Sequence, residues 1–229
     1  MNNVLEIHAL TKVFWRDKLS SPFTRGNPQI TALDGIDLVI ETPGDMVRVS
    51  GPNGSGKTTL LKCISGLLIP TRGSIRIFEK DAQTFDLKKR IGMLTDQERS
   101  FYWRLSGRNN IRFFAGLYGM DRRETDDRMQ RLADTLDISP LLDTPFSQYS
   151  TGIRQRFSIM RAFIHEPSLL LLDEPQRSLD QTARERLWHL LDDLSSKKGV
   201  TVIYTTHESD ATKLKESRHL RLDKGRVVS

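Results

Sequence analysis

The chain has 229 residues, 37% hydrophobic and 28% charged, a balance that supports an ordinary folded protein with a sizeable core. A single cysteine, Cys63, excludes an internal disulfide and a cysteine-built metal site, and no apolar run approaches the ~20 residues of a membrane-spanning helix. The net charge of +6 arises from 35 basic and 29 acidic residues scattered among one another, which describes a solvated surface and makes no case for nucleic acid as a partner.

In chain order, the start MNNVLEIHAL has no basic flank leading into an apolar block, so a secretory signal is not expected and a cytoplasmic location is. Val4, Leu5 and Ile7, then Leu33, Ile36, Leu38 and Ile40, have strand-like patterning. The polar stretch RDKLSSPFTRGNPQI between them reads as a loop or short helical insertion. Pro43-Gly44 marks a turn, Met46 to Ser50 a strand, and Lys57 to Leu68 a helix that Pro70 and Gly73 end. Ser74 to Phe78 and Ile91 to Leu94 read as further strands, and residues 106 to 142 as a helical subdomain. A helix near Arg154 to Ile164, a strand Leu169 to Leu172, a helix Thr182 to Ser196 and a β-branched strand Val200 to Thr206 follow. His219 to Val228, broken at Lys224-Gly225, suggests a hairpin. The alternation predicts an α/β fold with a largely parallel sheet.

The strongest motif is Gly51-Pro52-Asn53-Gly54-Ser55-Gly56-Lys57-Thr58-Thr59, which satisfies G-x-x-x-x-G-K-[ST] between a predicted strand and a predicted helix. Glycines let backbone amides turn inward around phosphate oxygens, and a helix N-terminus adds its positive dipole. Lys57 is expected on the β- and γ-phosphates and the Thr58 hydroxyl on Mg²⁺. A second motif, Leu169-Leu170-Leu171-Leu172-Asp173-Glu174, ends a buried strand in two carboxylates at the sheet edge where ligands bind. Asp173 then holds Mg²⁺, and Glu174 faces the attacking water as base or orienting group.

With these motifs and three more, the sequence resembles the nucleotide-binding subunit of ATP-binding-cassette transporters over essentially its whole length. Tyr149-Ser150-Thr151-Gly152-Ile153-Arg154-Gln155-Arg156 resembles the family signature, Ser178-Leu179-Asp180 the D-loop, and Thr206-His207-Glu208 the switch histidine. The resemblance implies one ATPase domain over 1–229: a P-loop core with a mainly parallel sheet, an N-terminal antiparallel β part and a helical signature subdomain at about 98–160. It also implies two cassettes, identical or paired, that sandwich ATP. Ser150 and Gly152 would then serve the γ-phosphate held by the partner's Lys57, and Asp180 would lie at the seam. His207 would position Glu174 and water, and Phe14, or else Trp15, would stack on adenine. The water and Mg²⁺ contact is Gln97 counting back from Leu105, or Asp96 counting forward from Ile91-Gly92. Thr151 and Ile153 depart from the usual glycine and glutamine of the signature, and Gln176 from the usual threonine.

Phe101, Tyr102 and Trp103, flanked by arginines, are expected as the docking surface for a membrane-spanning permease, with the chain at the cytoplasmic face of the membrane. The wording of Ser100 to Gly119 and the insertion between Phe14 and Thr31 resemble exporters, of polysaccharide, lipid, drug or antibiotic. The chain ends soon after the hairpin, so the carbohydrate-binding domain of some polysaccharide exporters is not expected. Two alternatives are a cassette ATPase acting on ribosomes or nucleic acid and a P-loop GTPase or nucleotide kinase. The first lacks its usual fused second cassette or coiled coil, the second its Asn-Lys-x-Asp motif and any reason for a signature. ATP is the expected nucleotide, although ring stacking alone accepts either purine.

Overall fold

The computed structural model describes residues 3–15, 29–95, 100–206 and 218–228. Two sheets form the frame. In the first, β1 (Leu5–Trp15) lies between β2 (Gln29–Ile40) and β4 (Arg72–Ile77), with the short β5 (Lys80–Asp81) outermost, all antiparallel. In the second the order is β10-β9-β3-β8-β7-β6. There β3 (Met46–Ser50), β6 (Ile91–Leu94), β7 (Leu169–Leu172), β8 (Thr201–Thr206) and β9 (Arg218–Asp223) run parallel, and β10 (Arg226–Val228) turns back on β9.

β1 is longer than its apolar pattern predicts because its register shifts between Ile7 and Leu10, where Ala9 takes φ 46° and breaks the alternation. The helix after the glycine loop, α1 (Lys57–Ile64), stops short of Leu68 because Gly66 at φ 72° turns the chain away. Phe78 and Glu79, at φ 48° and 66°, make the turn into β5 that the sequence reading passes over.

The central strands β7 and β8 are buried on both faces, which is why β7 reads as four consecutive leucines. Leu169 and Leu171 join a core shared with the antiparallel sheet and α1, while Leu170 and Leu172 face a second core with the remaining helices. Those helices are α2 (Gly107–Leu117), α3 (Arg122–Thr135), α4 (Thr151–Phe163) and α5 (Gln181–Lys198). Each starts at a side-chain cap that accepts a backbone amide three residues on: Ser106, Asp121, Ser150 and Asp180.

The expectation that Phe101, Tyr102 and Trp103 together form a surface is corrected. Phe101 is buried, its ring stacked on that of Phe146 at 4.3 Å, with Phe114 edge-on at 5.3 Å. Buried Asn110 fixes this geometry, accepting from Tyr102 N at 2.8 Å and donating to Tyr102 O at 3.0 Å. Only Tyr102 and Trp103 of the three, 49% and 43% accessible, face outward. Among the described residues no helix is long and apolar enough to cross a membrane.

Candidate nucleotide site

The loop between β3 and α1 has the backbone its glycines predict. Gly51, Gly54 and Gly56 take φ 145°, 77° and 107°. A Cβ on Gly51 would stand 2.1 Å from Leu222 O, and one on Gly56 2.5 Å from Ala32 O, so only glycine lets the loop seat against β9 and β2. Gly56 caps α1 without any side-chain bond, leaving the first-turn amides and the helix dipole open to an anion. Lys57 is buried, and its Nζ donates to Gly51 O at 2.6 Å and Pro52 O at 3.2 Å. Two of its three protons thus hold it across the loop that a phosphate would enter. Ser55 Oγ is buried with no partner among the described residues, a polar atom inside the loop that a phosphate oxygen would satisfy.

Because β7 lies between β6 and β8, its C-terminal end delivers Asp173 and Glu174 to the same edge as the loop. Thr58 Oγ1 donates to Asp173 Oδ2 at 2.6 Å, and Thr205 Oγ1 donates to Asp173 Oδ1 at 2.7 Å. Thr205 Oγ1 in turn accepts from Glu174 N at 2.9 Å, and Glu174 sits at φ 47°. Thr205 was not read from the sequence. It is one of three threonines in a β-branched strand, and only its place one residue beyond the last pair with β7 marks it. Gln176 also gains a physical account: it is buried and donates to Thr206 Oγ1 at 3.1 Å across the same strand end. A cavity of about 200 Å³ opens here, lined by Thr58, Lys62, Thr95, Gln155, Asp173, Glu174 and Arg177.

A hydroxyl and a carboxylate oxygen in contact are the hard donors Mg²⁺ prefers, so Thr58 and Asp173 fit the ion that accompanies a nucleoside triphosphate. The expected third group, Gln97 or Asp96, and the switch residue His207 lie outside the described residues.

Of the segment Tyr149–Arg156, Gln155 lines this cavity, while Ser150 and Gly152 do not. Ser150 caps α4 by accepting from Ile153 N at 3.3 Å, and among the described residues neither it nor Gly152 bonds to the loop 51–59. A Cβ on Gly152 would stand 2.8 Å from Ser178 O, so this glycine lets the signature pack on the D-loop. Ile153 packs against the helical core. Asp180 caps α5 and pairs with Arg156, and its carboxyl is held below the ordinary range first by the Ala183 amide and then by Arg156. Phe14 closes β1 opposite Ile30, two residues from Ala32, whose carbonyl abuts Gly56. Its ring is 38% accessible with the Lys12 ammonium 5.2 Å from its centre, while Trp15 is 63% accessible.

The comparisons with known proteins agree. The model of a family described as ABC transporter matches residues 33–177. The chain is 33% identical over 180 residues to the ABC transporter ATP-binding protein NatA of Bacillus subtilis, covering 78% of this chain and 72% of that one. It is 34% identical over 200 residues to the daunorubicin resistance ATP-binding protein DrrA3 of Streptomyces coeruleorubidus (86% and 62% covered). To the methionine import ATP-binding protein MetN of Corynebacterium efficiens it is 31% identical over 230 residues (98% and 61% covered), so it spans less than two thirds of these last two. Among solved structures, the dimeric post-hydrolysis state of the ATP-binding cassette MJ0796 bound to ADP and Pi matches with TM-score 0.84 and 26% identity, covering 97% of this chain and 96% of that one. A glycine loop with Thr58 bonded to Asp173, an α/β cassette fold and a family match over well more than half the chain lead to one conclusion: the chain belongs to the ABC transporter family, as its ATP-binding cassette ATPase.

Proposed function

We propose that this ATPase drives export through a separate membrane permease, working as one of two cassettes that close around ATP at the cytoplasmic face of the membrane. The observation that carries the reading is the bond from Thr58 to Asp173, which sets the phosphate loop and the carboxylate pair on one small cavity. Residues 51 to 59 cradle the phosphates, with Lys57 on the β- and γ-oxygens and Phe14 against the adenine. Thr58 and Asp173, with Gln97, hold Mg²⁺, which neutralises phosphate charge when bound. Glu174 takes the proton of the attacking water, and His207 orients both. Ser150, Gly152 and Asp180 act on the partner's nucleotide, a reading supported by the dimeric state of the similar cassette MJ0796. Closure follows from ATP binding the closed dimer more tightly than the open one, and hydrolysis reverses it. In this reading 1–229 is one functional unit, its helical subdomain at about 98–160.

Export is supported by the exporter-like wording of Ser100 to Gly119 and by the resistance function in the name of DrrA3, and the cargo falls in the polysaccharide, lipid, drug or antibiotic class. The import function in the name of MetN marks the rival direction.

The test is the oligomeric state of Glu174→Gln by light scattering. ATP and Mg²⁺ should convert monomer to dimer, Ser150→Arg should prevent it, and Lys57→Ala should lose ATP affinity. A Glu174→Gln variant that turns over normally refutes the base assignment. Uptake by inverted vesicles holding the permease supports export, and uptake only by right-side-out vesicles supports import.

A further inference from the structure

Arg177 has no part in the chemistry described so far, yet it lines the same cavity as Thr58, Asp173 and Glu174. A tight turn brings it there. Arg177 N donates to Glu174 O at 3.0 Å, with Glu174 at φ 47° on one side and Ser178 at φ 61° on the other. Five residues after β7 ends, the chain has therefore turned back beside its own carboxylates. The cavity, about 200 Å³, opens beside Thr58 and Asp173, the two groups that fit the Mg²⁺ of a bound nucleotide, so a guanidinium lining it stands beside the ion that a γ-phosphate meets.

The cavity's charged residues are two anions, Asp173 and Glu174, and two cations, Lys62 and Arg177. The cations are not equivalent. Lys62 lies four residues beyond Thr58 on α1, so its Cα is one helical turn, ~6 Å, farther from the amides at the helix start. Arg177 lines the cavity from the turn that carries Glu174. The planar fork of donors on a guanidinium matches two phosphate oxygens at once. The transferring phosphoryl group spreads negative charge over three oxygens, and a guanidinium supplied in cis is one known way to stabilise it. The signature offers a further reason: Ile153 packs into the helical core and gives no side-chain donor to a nucleotide.

We infer that Arg177 is a further catalytic residue, a guanidinium supplied in cis to the γ-phosphate of the ATP bound at its own loop. In the step, water oxygen bonds to the γ-phosphorus as the bond to the β,γ-bridging oxygen breaks. Glu174 accepts the water proton, ADP and phosphate leave, and Arg177 donates hydrogen bonds throughout without losing a proton. This rests on the ATPase reading above and adds a residue to it.

The test compares wild type, Arg177→Ala, Arg177→Gln, Arg177→Lys and Glu174→Gln in steady-state hydrolysis, with thermal melts and binding of ADP and of ADP with orthovanadate. Arg177→Ala and Arg177→Gln should lose ~10²-fold in kcat, and Arg177→Lys distinctly less, since it keeps the charge without the fork. ADP affinity and Tm should stay near wild type, because ADP lacks the group contacted, while the vanadate complex should weaken at least ~10-fold. A kcat within threefold of wild type overturns the inference, as does equal weakening of ADP and ADP–vanadate, which marks a structural residue. If Glu174→Gln stops hydrolysis and Arg177→Ala does not, only this inference fails. If the wild type hydrolyses no ATP, the ATPase reading fails first and takes this one with it.

Discussion

Arg156 Nη2 lies 2.8 Å from Asp180 Oδ2, so an ion pair joins the signature helix α4 to the cap of α5. The same guanidinium donates to Leu136 O at 3.2 Å, and Asp137 beside it pairs with Arg186 at 2.9 Å. The C-terminal end of α3, helix α4 and the start of α5 are thereby joined through one guanidinium.

Arg156→Ala should therefore lower Tm by about 2–4 °C, and Asp180→Asn by less, because asparagine still caps a helix. The double variant should lose less than the two added, which a mutant cycle reads directly. The Asp180 carboxyl lies below its ordinary 3.8, through the Ala183 amide first and then Arg156. A lowered carboxylate stabilises the fold above that pH and ceases to as pH falls through the folded value. In acid unfolding the gap between wild type and Asp180→Asn should close below about pH 3.8.

Thr205 ties both acidic residues of the site to β8, donating to the Asp173 carboxylate and accepting from the Glu174 backbone N. Thr205→Val keeps the shape and removes both bonds in a buried place. It should cost about 1–3 kcal/mol by denaturant unfolding. As Glu174 loses its backbone anchor, kcat should fall about 10-fold, with ADP affinity nearly unchanged.

His165 stacks on Tyr118 with ring centres 3.8 Å apart, and its Nε2 donates to Ile91 O at 3.1 Å, which fixes the proton there. Nδ1 is buried with no partner among the described residues. Burial pushes this imidazole down from 6.5 to about 4. The unfolded chain then binds the proton more readily, so stability falls as pH drops from 6.5 and the loss is complete near 4. Urea unfolding should show up to about 3 kcal/mol lost across that window, and His165→Phe should flatten the slope.

Tyr102 and Trp103 are exposed, with the Arg154 guanidinium 4.3 Å from the Trp103 ring centre, and they suit a partner surface. Replacing both with alanine should leave Tm and ATP binding unchanged and abolish co-purification with the co-expressed permease. Phe101→Ala should behave in the opposite way, destabilising the fold by about 3–5 kcal/mol as a core deletion does. Unchanged co-purification of the double variant removes this surface from the interface.

The strand ends and helix starts around the site were legible because their signals are local. Gly51 to Thr59 and Leu169 to Glu174 each contain their own reason, a backbone that must bend or a strand that must be buried. Ser150 and Asp180 entered the sequence reading only through the resemblance, and the structure shows that they also cap α4 and α5. β5 and the extension of β1 were not legible. The first depends on a two-residue turn at Phe78 and Glu79, the second on a bulge that cancels the period.

By itself the sequence determined the phosphate loop, the carboxylate pair, the order of the motifs and the α/β alternation, since each rests on neighbours along the chain. Only the tertiary structure decided which of three adjacent aromatics is core, which threonine holds Asp173, why glycine stands at 152 and where Arg177 lies. Each of those depends on a partner brought in by folding. Thr205 is 32 residues from Asp173, Gly152 meets Ser178 and Phe101 meets Phe146, and no local period encodes such distant contacts.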